Sequence, residues 1–156
     1  MRVSDIMSKD VIYFYEDESI FDAISVLIKK NISGAPVLNR EEKLVGIISL
    51  TDLVKFLNLE LELNPKNLNS LVNLVIYSLK KIREREKIKT LKELLREIKV
   101  KDVMSKDVIS ISPHATILEA IKLMEEHDVS RLPVIEDDKL IGIVTKTDIV
   151  RFLLEI

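Results

Sequence analysis

One segment occurs twice in this chain of 156 residues. Residues 3–12 read VSDIMSKDVI and residues 100–109 read VKDVMSKDVI, and the register runs on without a gap to ISGAPV (32–37) and VSRLPV (129–134). After a loop that is one residue shorter in the second copy, the match resumes at KLVGIISLTDLVKFL (43–57) and KLIGIVTKTDIVRFL (139–153). Self-similarity of this kind marks a supersecondary unit that cannot bury its own hydrophobic face and must stack on its copy. A unit of about 55 residues alone would bury too small a share of its surface to be stable. The two copies are therefore expected to share a core and to pack about a pseudo-twofold axis. Two equivalent clefts would then lie along the seam, where small molecules commonly bind.

Both copies parse alike. Val11–Tyr15 and Val108–Ser112 are short runs rich in strand-forming residues. A helix follows each, over Glu18–Lys30 with Ile20, Ala23, Ile24, Leu27 and Ile28 on one face, and over Thr116–His127 with Ile117, Ala120, Ile121 and Met124. Thr116 with Glu119 forms a capping box, and Ser19 with Asp22 a weaker one. Ala35–Leu38 and Leu132–Ile135 read as strands, joined through polar turns at Asn39–Lys43 and Glu136–Lys139 to further strands at Leu44–Ser49 and Leu140–Thr145. Each pair reads as a hairpin. A second helix closes each unit from Thr51 or Thr147. The expected fold is α+β: two β-α-β-β-α repeats, residues 1–57 and 100–156, with a helical insertion at 58–99. In the insertion Asn64-Pro65 is a break. From Asn69 the residues Leu71, Val72, Val75, Leu79 and Ile82 recur at helical spacing, as do Ile88, Leu91, Leu95 and Ile98, with a capping box suggested at Thr90 and Glu93.

Composition removes several function classes. The net charge is -2, from 24 basic and 26 acidic residues, which gives no global pull toward nucleic acid or a membrane surface. There is no cysteine, so disulfides, thiolate metal sites and cysteine nucleophiles are excluded. Two histidines far apart in sequence argue against a histidine metal site. The N-terminus lacks the apolar core of a signal peptide and no run reaches membrane-spanning length, so the chain is read as cytoplasmic, with no membrane partner. There is no Gly-rich phosphate loop and no nucleophile elbow, so it is read as a non-enzyme. The basic run Lys80–Lys89 reads as a solvated helix face, with a nucleic-acid or acidic-partner contact as its alternative. It lacks the aromatic residues that stack on bases.

The repeat resembles the CBS domain, named after cystathionine β-synthase, and the tandem pair resembles a Bateman module. The residues that carry the resemblance are DIMSKDV, SGAPV, SRLPV, GIISLTD and GIVTKTD, in order, twice. It covers about residues 1–57 and 100–156 and leaves the insertion outside. The resemblance implies a regulatory module whose effector is an adenosine-containing ligand (AMP, ADP, ATP, S-adenosylmethionine or methylthioadenosine), with no cofactor. It implies a homodimer and an unidentified regulated protein as partners. It also implies that each site joins one repeat's first strand and pre-proline segment to the other repeat's Ser/Thr and Asp motif. The first site would then use Met7, Ile12, Ile32, Ser33, Gly34 and Ala35 with Thr145, Thr147 and Asp148. The second would use Met104, Ile109, Val129, Ser130, Arg131 and Leu132 with Ser49, Thr51 and Asp52.

These residue types suit a nucleoside on chemical grounds as well. A carboxylate accepts hydrogen bonds from two vicinal hydroxyls, which Asp52 and Asp148 would do for a ribose. Ile, Val and Met make an apolar slot for a purine. Backbone groups beside Pro36 and Pro133 are left for a base edge, and helix N-termini near Ser49 and Thr145 favour a phosphate. An arginine such as Arg131 pairs with phosphate as a bidentate fork. Its counterpart, Gly34, has no side chain, so the second site is expected to suit a phosphorylated ligand better. The same two aspartates also sit three residues after Ser49 and Thr145, which is the spacing of a helix cap. Arg131 reads equally as a surface arginine. A second reading of the whole chain is an assembly module with unused clefts, whose inserted helices bind a protein or nucleic acid.

Overall fold

The computed structural model describes residues 1–62 and 84–156. Repeat 1 holds helix α1 (Val3–Ile6), strand β1 (Phe14–Tyr15), helix α2 (Ile20–Lys29), strands β2 (Gly34–Leu38) and β3 (Leu44–Ser49), and helix α3 (Leu50–Glu62). Helix α4 (Glu84–Glu97) belongs to the insertion. Repeat 2 holds α5 (Val100–Val103), α6 (Ile117–Glu126), β4 (Arg131–Glu136), β5 (Lys139–Thr145) and α7 (Lys146–Glu155). Both hairpins form, with β2 antiparallel to β3 and β4 antiparallel to β5. The second turns at Asp137-Asp138, where φ is +49° and +61°. Two left-handed residues in a two-residue loop match the strand twist, and aspartate tolerates that conformation.

The first strand of each copy is shorter than its sequence suggests. In repeat 1 only Phe14 and Tyr15 pair, parallel to Val37 and Leu38. In repeat 2 the equivalent is a single parallel bridge from Ile111 to Val134. The residues before them are drawn elsewhere. Ser8 exchanges both backbone bonds with Ile143 of β5 (2.9 and 3.0 Å), and Ser105 does the same with Ile47 of β3 (2.8 and 2.9 Å). The start of each copy thus docks on the other copy. Val3 of α1 is fully buried in the core of repeat 2 with Ile111, Leu132, Val134 and Val144. Val100 and Val103 lie in the core of repeat 1 with Ile20, Leu27, Val37 and Ile48. Met7 packs over Gly142 and Met104 over Gly46, where an added Cβ would stand 2.5 Å from each sulfur. The sequence repeats 1–57 and 100–156 are therefore two interlocked layers, each with a core completed by the other's first turn.

The helix starts differ in how they are capped. Thr116 and Glu119 form the expected box: the Thr116 N–H donates to Glu119 Oε2 (2.6 Å) and the Glu119 N–H to Thr116 Oγ1 (3.2 Å). Ser19 makes no such cap for α2; its hydroxyl donates to the Leu95 carbonyl of α4 at 3.4 Å instead. The insertion explains this. α4 lies along α2, with Leu94 and Ile98 buried in the first core and the Arg96 guanidinium 4.7 Å above the Phe21 ring. α4 runs through Thr90 without a break, so Thr90 and Glu93 do not begin a helix. Helix formers from Glu84 onward carry it past that point. The helix read from Asn69 to Ile82, and Lys80 to Arg83 of the basic run, lie outside the described residues. Among the described residues no helix is long and apolar enough to cross a membrane.

Candidate ligand clefts

Two clefts open along the seam, with volumes of about 410 and 250 Å³. The first is lined from repeat 1 by Ser8, Asp10, Ile12, Asn31, Ile32, Ser33 and Gly34 and from repeat 2 by Ile143, Thr145, Thr147, Asp148 and Arg151. The second is lined by Ser105, Asp107, Ile109, Asp128, Val129, Ser130 and Arg131 with Ile47, Ser49, Thr51, Asp52 and Lys55. Each residue of one set occupies the repeat position of one residue of the other. The clefts are thus copies related by the pseudo-twofold axis. Arg131 breaks the symmetry, because it also lines the first cleft.

Most of the residues named from sequence come together here, in the two sets expected. Met7 and Met104 do not line the clefts, since they plug the seam over the two glycines. Ala35 and Leu132 face the cores, 1% and 0% exposed, because they follow the cleft-lining residue on a strand whose side chains alternate. Ser8, Asp10, Asn31, Ile143 and Arg151, with their counterparts, were not singled out from sequence. The identical SKD triplets at 8–10 and 105–107 are the signal that points to the first two pairs.

The aspartates are built into helix caps. The Thr145 N–H and hydroxyl both donate to Asp148 Oδ2 at 2.8 Å, and the Asp148 N–H donates back to Thr145 Oγ1 at 3.1 Å. Ser49 and Asp52 repeat this at 3.0, 2.7 and 3.1 Å. The cap engages one carboxylate oxygen in each case. Asp148 Oδ1 stands 3.4 Å from the Arg151 guanidinium, and Asp52 Oδ1 takes no part in its cap. Capping and ligand binding are therefore compatible on one side chain, and the cap fixes where the second oxygen points.

Arg131 begins β4 opposite Thr145. Its Nη2 donates to Ser33 Oγ of the first cleft at 2.5 Å and to Ser130 Oγ of the second at 3.3 Å. The guanidinium fills the space over Gly34, where a Cβ would stand 1.9 Å from Nη1. Partial burial pulls its pKa down from the usual arginine value, against the opposing pull of the Asp52 charge. Among the described residues there is no group of three side chains placed to hold a metal ion.

The family model described as "CBS domain" matches residues 3–59 and 100–155. Uncharacterized protein MJ1426 of Methanocaldococcus jannaschii is 42% identical over 158 aligned positions, which cover 99% of this chain and 92% of that protein. The CBS domain pair of protein MJ0100, solved in complex with 5′-methylthioadenosine and S-adenosyl-L-methionine, superposes with a TM-score of 0.70 at 26% identity, over 99% of this chain and 97% of that one. CBSX2 in complex with AMP gives a TM-score of 0.68 at 25% identity, covering 99% and 96%.

Proposed function

The chain belongs to the CBS domain family as a tandem pair, and on that premise we propose that it is a regulatory module that binds an adenosine-containing ligand in the clefts between its repeats. Asp52 and Asp148 take the ribose hydroxyls. Ile109 with Val129, and Ile12 with Ile32, hold the base. The observation that carries this reading is the pair of symmetry-related clefts, each presenting a carboxylate oriented by a cap that uses only one of its oxygens. The related pairs solved with AMP and with S-adenosyl and methylthio compounds support the same ligand class.

Occupancy of a cleft cross-links the two layers at the seam. A ligand that favours one packing of the layers shifts the population toward it, and a cytoplasmic partner protein reads that shift. The exposed apolar residues of the closing helices, Val54 (65%) on α3 with Val150 (54%), Leu153 (56%) and Leu154 (81%) on α7, support a homodimer through these helices. Thermal unfolding with AMP, ATP, S-adenosylmethionine and methylthioadenosine tests the ligand class. A ligand at a hundred times its Kd should add about 2.7 kcal/mol. No stabilisation by any of the four would replace this reading with that of an assembly module.

A further inference from the structure

Arg131 is placed to serve two clefts with one charge. One of its nitrogens bridges Ser33 of the first cleft and Ser130 of the second, and its guanidinium occupies the room that Gly34 leaves. With Arg131 set aside, the carboxylates lining each cleft outnumber the cations. They are Asp10 and Asp148 against Arg151 in the first, and Asp52, Asp107 and Asp128 against Lys55 in the second. A phosphate entering either cleft therefore meets a net negative lining unless this guanidinium turns to it. The side chain has the reach for both, yet its fork can close on only one phosphate at a time.

We propose that Arg131 is a shared phosphate-binding residue, so that phosphorylated adenosine ligands bind the two clefts antagonistically while unphosphorylated ones bind independently. This rests on the adenosine-ligand reading above. A monophosphate in one cleft draws the guanidinium to itself and leaves the other cleft with its acidic lining. The second cleft filled then has no preference for a phosphate. The module would report the charge of its ligand as well as its presence: one phosphorylated ligand held tightly per chain, against two neutral ones held alike.

Calorimetric titration of AMP and adenosine into the full chain tests this. Asp148→Ala leaves the second cleft competent and Asp52→Ala the first. Each variant should bind AMP about tenfold or more tightly than adenosine, the scale of a charge-assisted contact. Adding Arg131→Ala should abolish that preference in both backgrounds. Arg131→Met, which keeps the length without the charge, serves where the truncation unfolds the protein. In wild type, one AMP should bind with the preference and the second no more tightly than adenosine. Two AMP molecules each keeping the full preference, or a preference confined to one single-cleft variant, would overturn the sharing. Binding of neither AMP nor adenosine to wild type would instead remove the ligand reading itself, and the sharing with it.

Discussion

At Asp52 and Asp148, the sequence spacing admits both a helix cap and a ribose contact, and the geometry shows the cap with one carboxylate oxygen left outside it for the proposed contact. Oδ2 is committed to the N-terminus of the helix that follows, while Oδ1 is not. Removing the side chain has two separable costs. Loss of the cap should lower stability by about 1 kcal/mol, whereas loss of the proposed ribose contact should weaken binding by about 1.5–3 kcal/mol. Asn at either position can still accept a bond through its one carbonyl oxygen, so Asp52→Asn should melt closer to wild type than Asp52→Ala while still losing affinity; denaturant curves beside ligand titrations check this. The seam glycines carry a different constraint. At Gly46 a Cβ would stand 2.5 Å from Met104 Sδ and 2.9 Å from the Ser105 carbonyl. Gly46→Ala should destabilise by roughly 1–3 kcal/mol, as overpacking does, and should show it as a lower urea midpoint with an unchanged slope.

Among the elements, α4 shows how the insertion contributes. Leu94 and Ile98 are each 5% exposed and close the core of repeat 1 over α2. Leu94→Ala should cost about 2–5 kcal/mol, measured by chemical denaturation; a cost near zero would mean that α4 rests on the module without completing it. The cap of α6 adds a dependence on pH. The Thr116 N–H and hydroxyl hold the Glu119 carboxyl below the ordinary glutamate value of 4.5. The folded state thus favours ionised Glu119. Its contribution is present above pH 4.5 and is lost as pH falls through the lowered folded value. Thermal melts from pH 6 to pH 3 should therefore fall less steeply in Glu119→Gln than in wild type. The two longer helices of each repeat and the hairpins were legible in the sequence because their periodicities and turn residues are local, whereas the single turns α1 and α5 carry no such pattern. The absence of the suggested Ser19 cap was not, because α4 offers that hydroxyl a carbonyl from 76 residues away.

Across the whole molecule, the repeat disclosed the architecture and most of the residues that line the two clefts, while the exchange between layers stayed hidden. A single residue bridging to another strand, as Ser8 does to Ile143, leaves no periodicity to read. The reach of Arg131 was equally invisible, because it depends on a glycine in the opposite copy. The exchange explains why neither repeat should fold alone, since each would lack the first turn that fills its core. Light scattering should find twice the monomer mass at micromolar concentration if the closing helices pair, and Val150→Glu with Leu153→Glu should halve it. The central claim is that each cleft takes its ribose carboxylate from the opposite layer, and calorimetry with AMP on wild type, Asp52→Ala and Asp148→Ala tests it most directly. The account predicts that each variant, measured where it is fully folded, loses affinity roughly ten- to hundredfold in one cleft while the other cleft still binds. Wild-type binding by both variants would contradict it and leave the aspartates as helix caps alone.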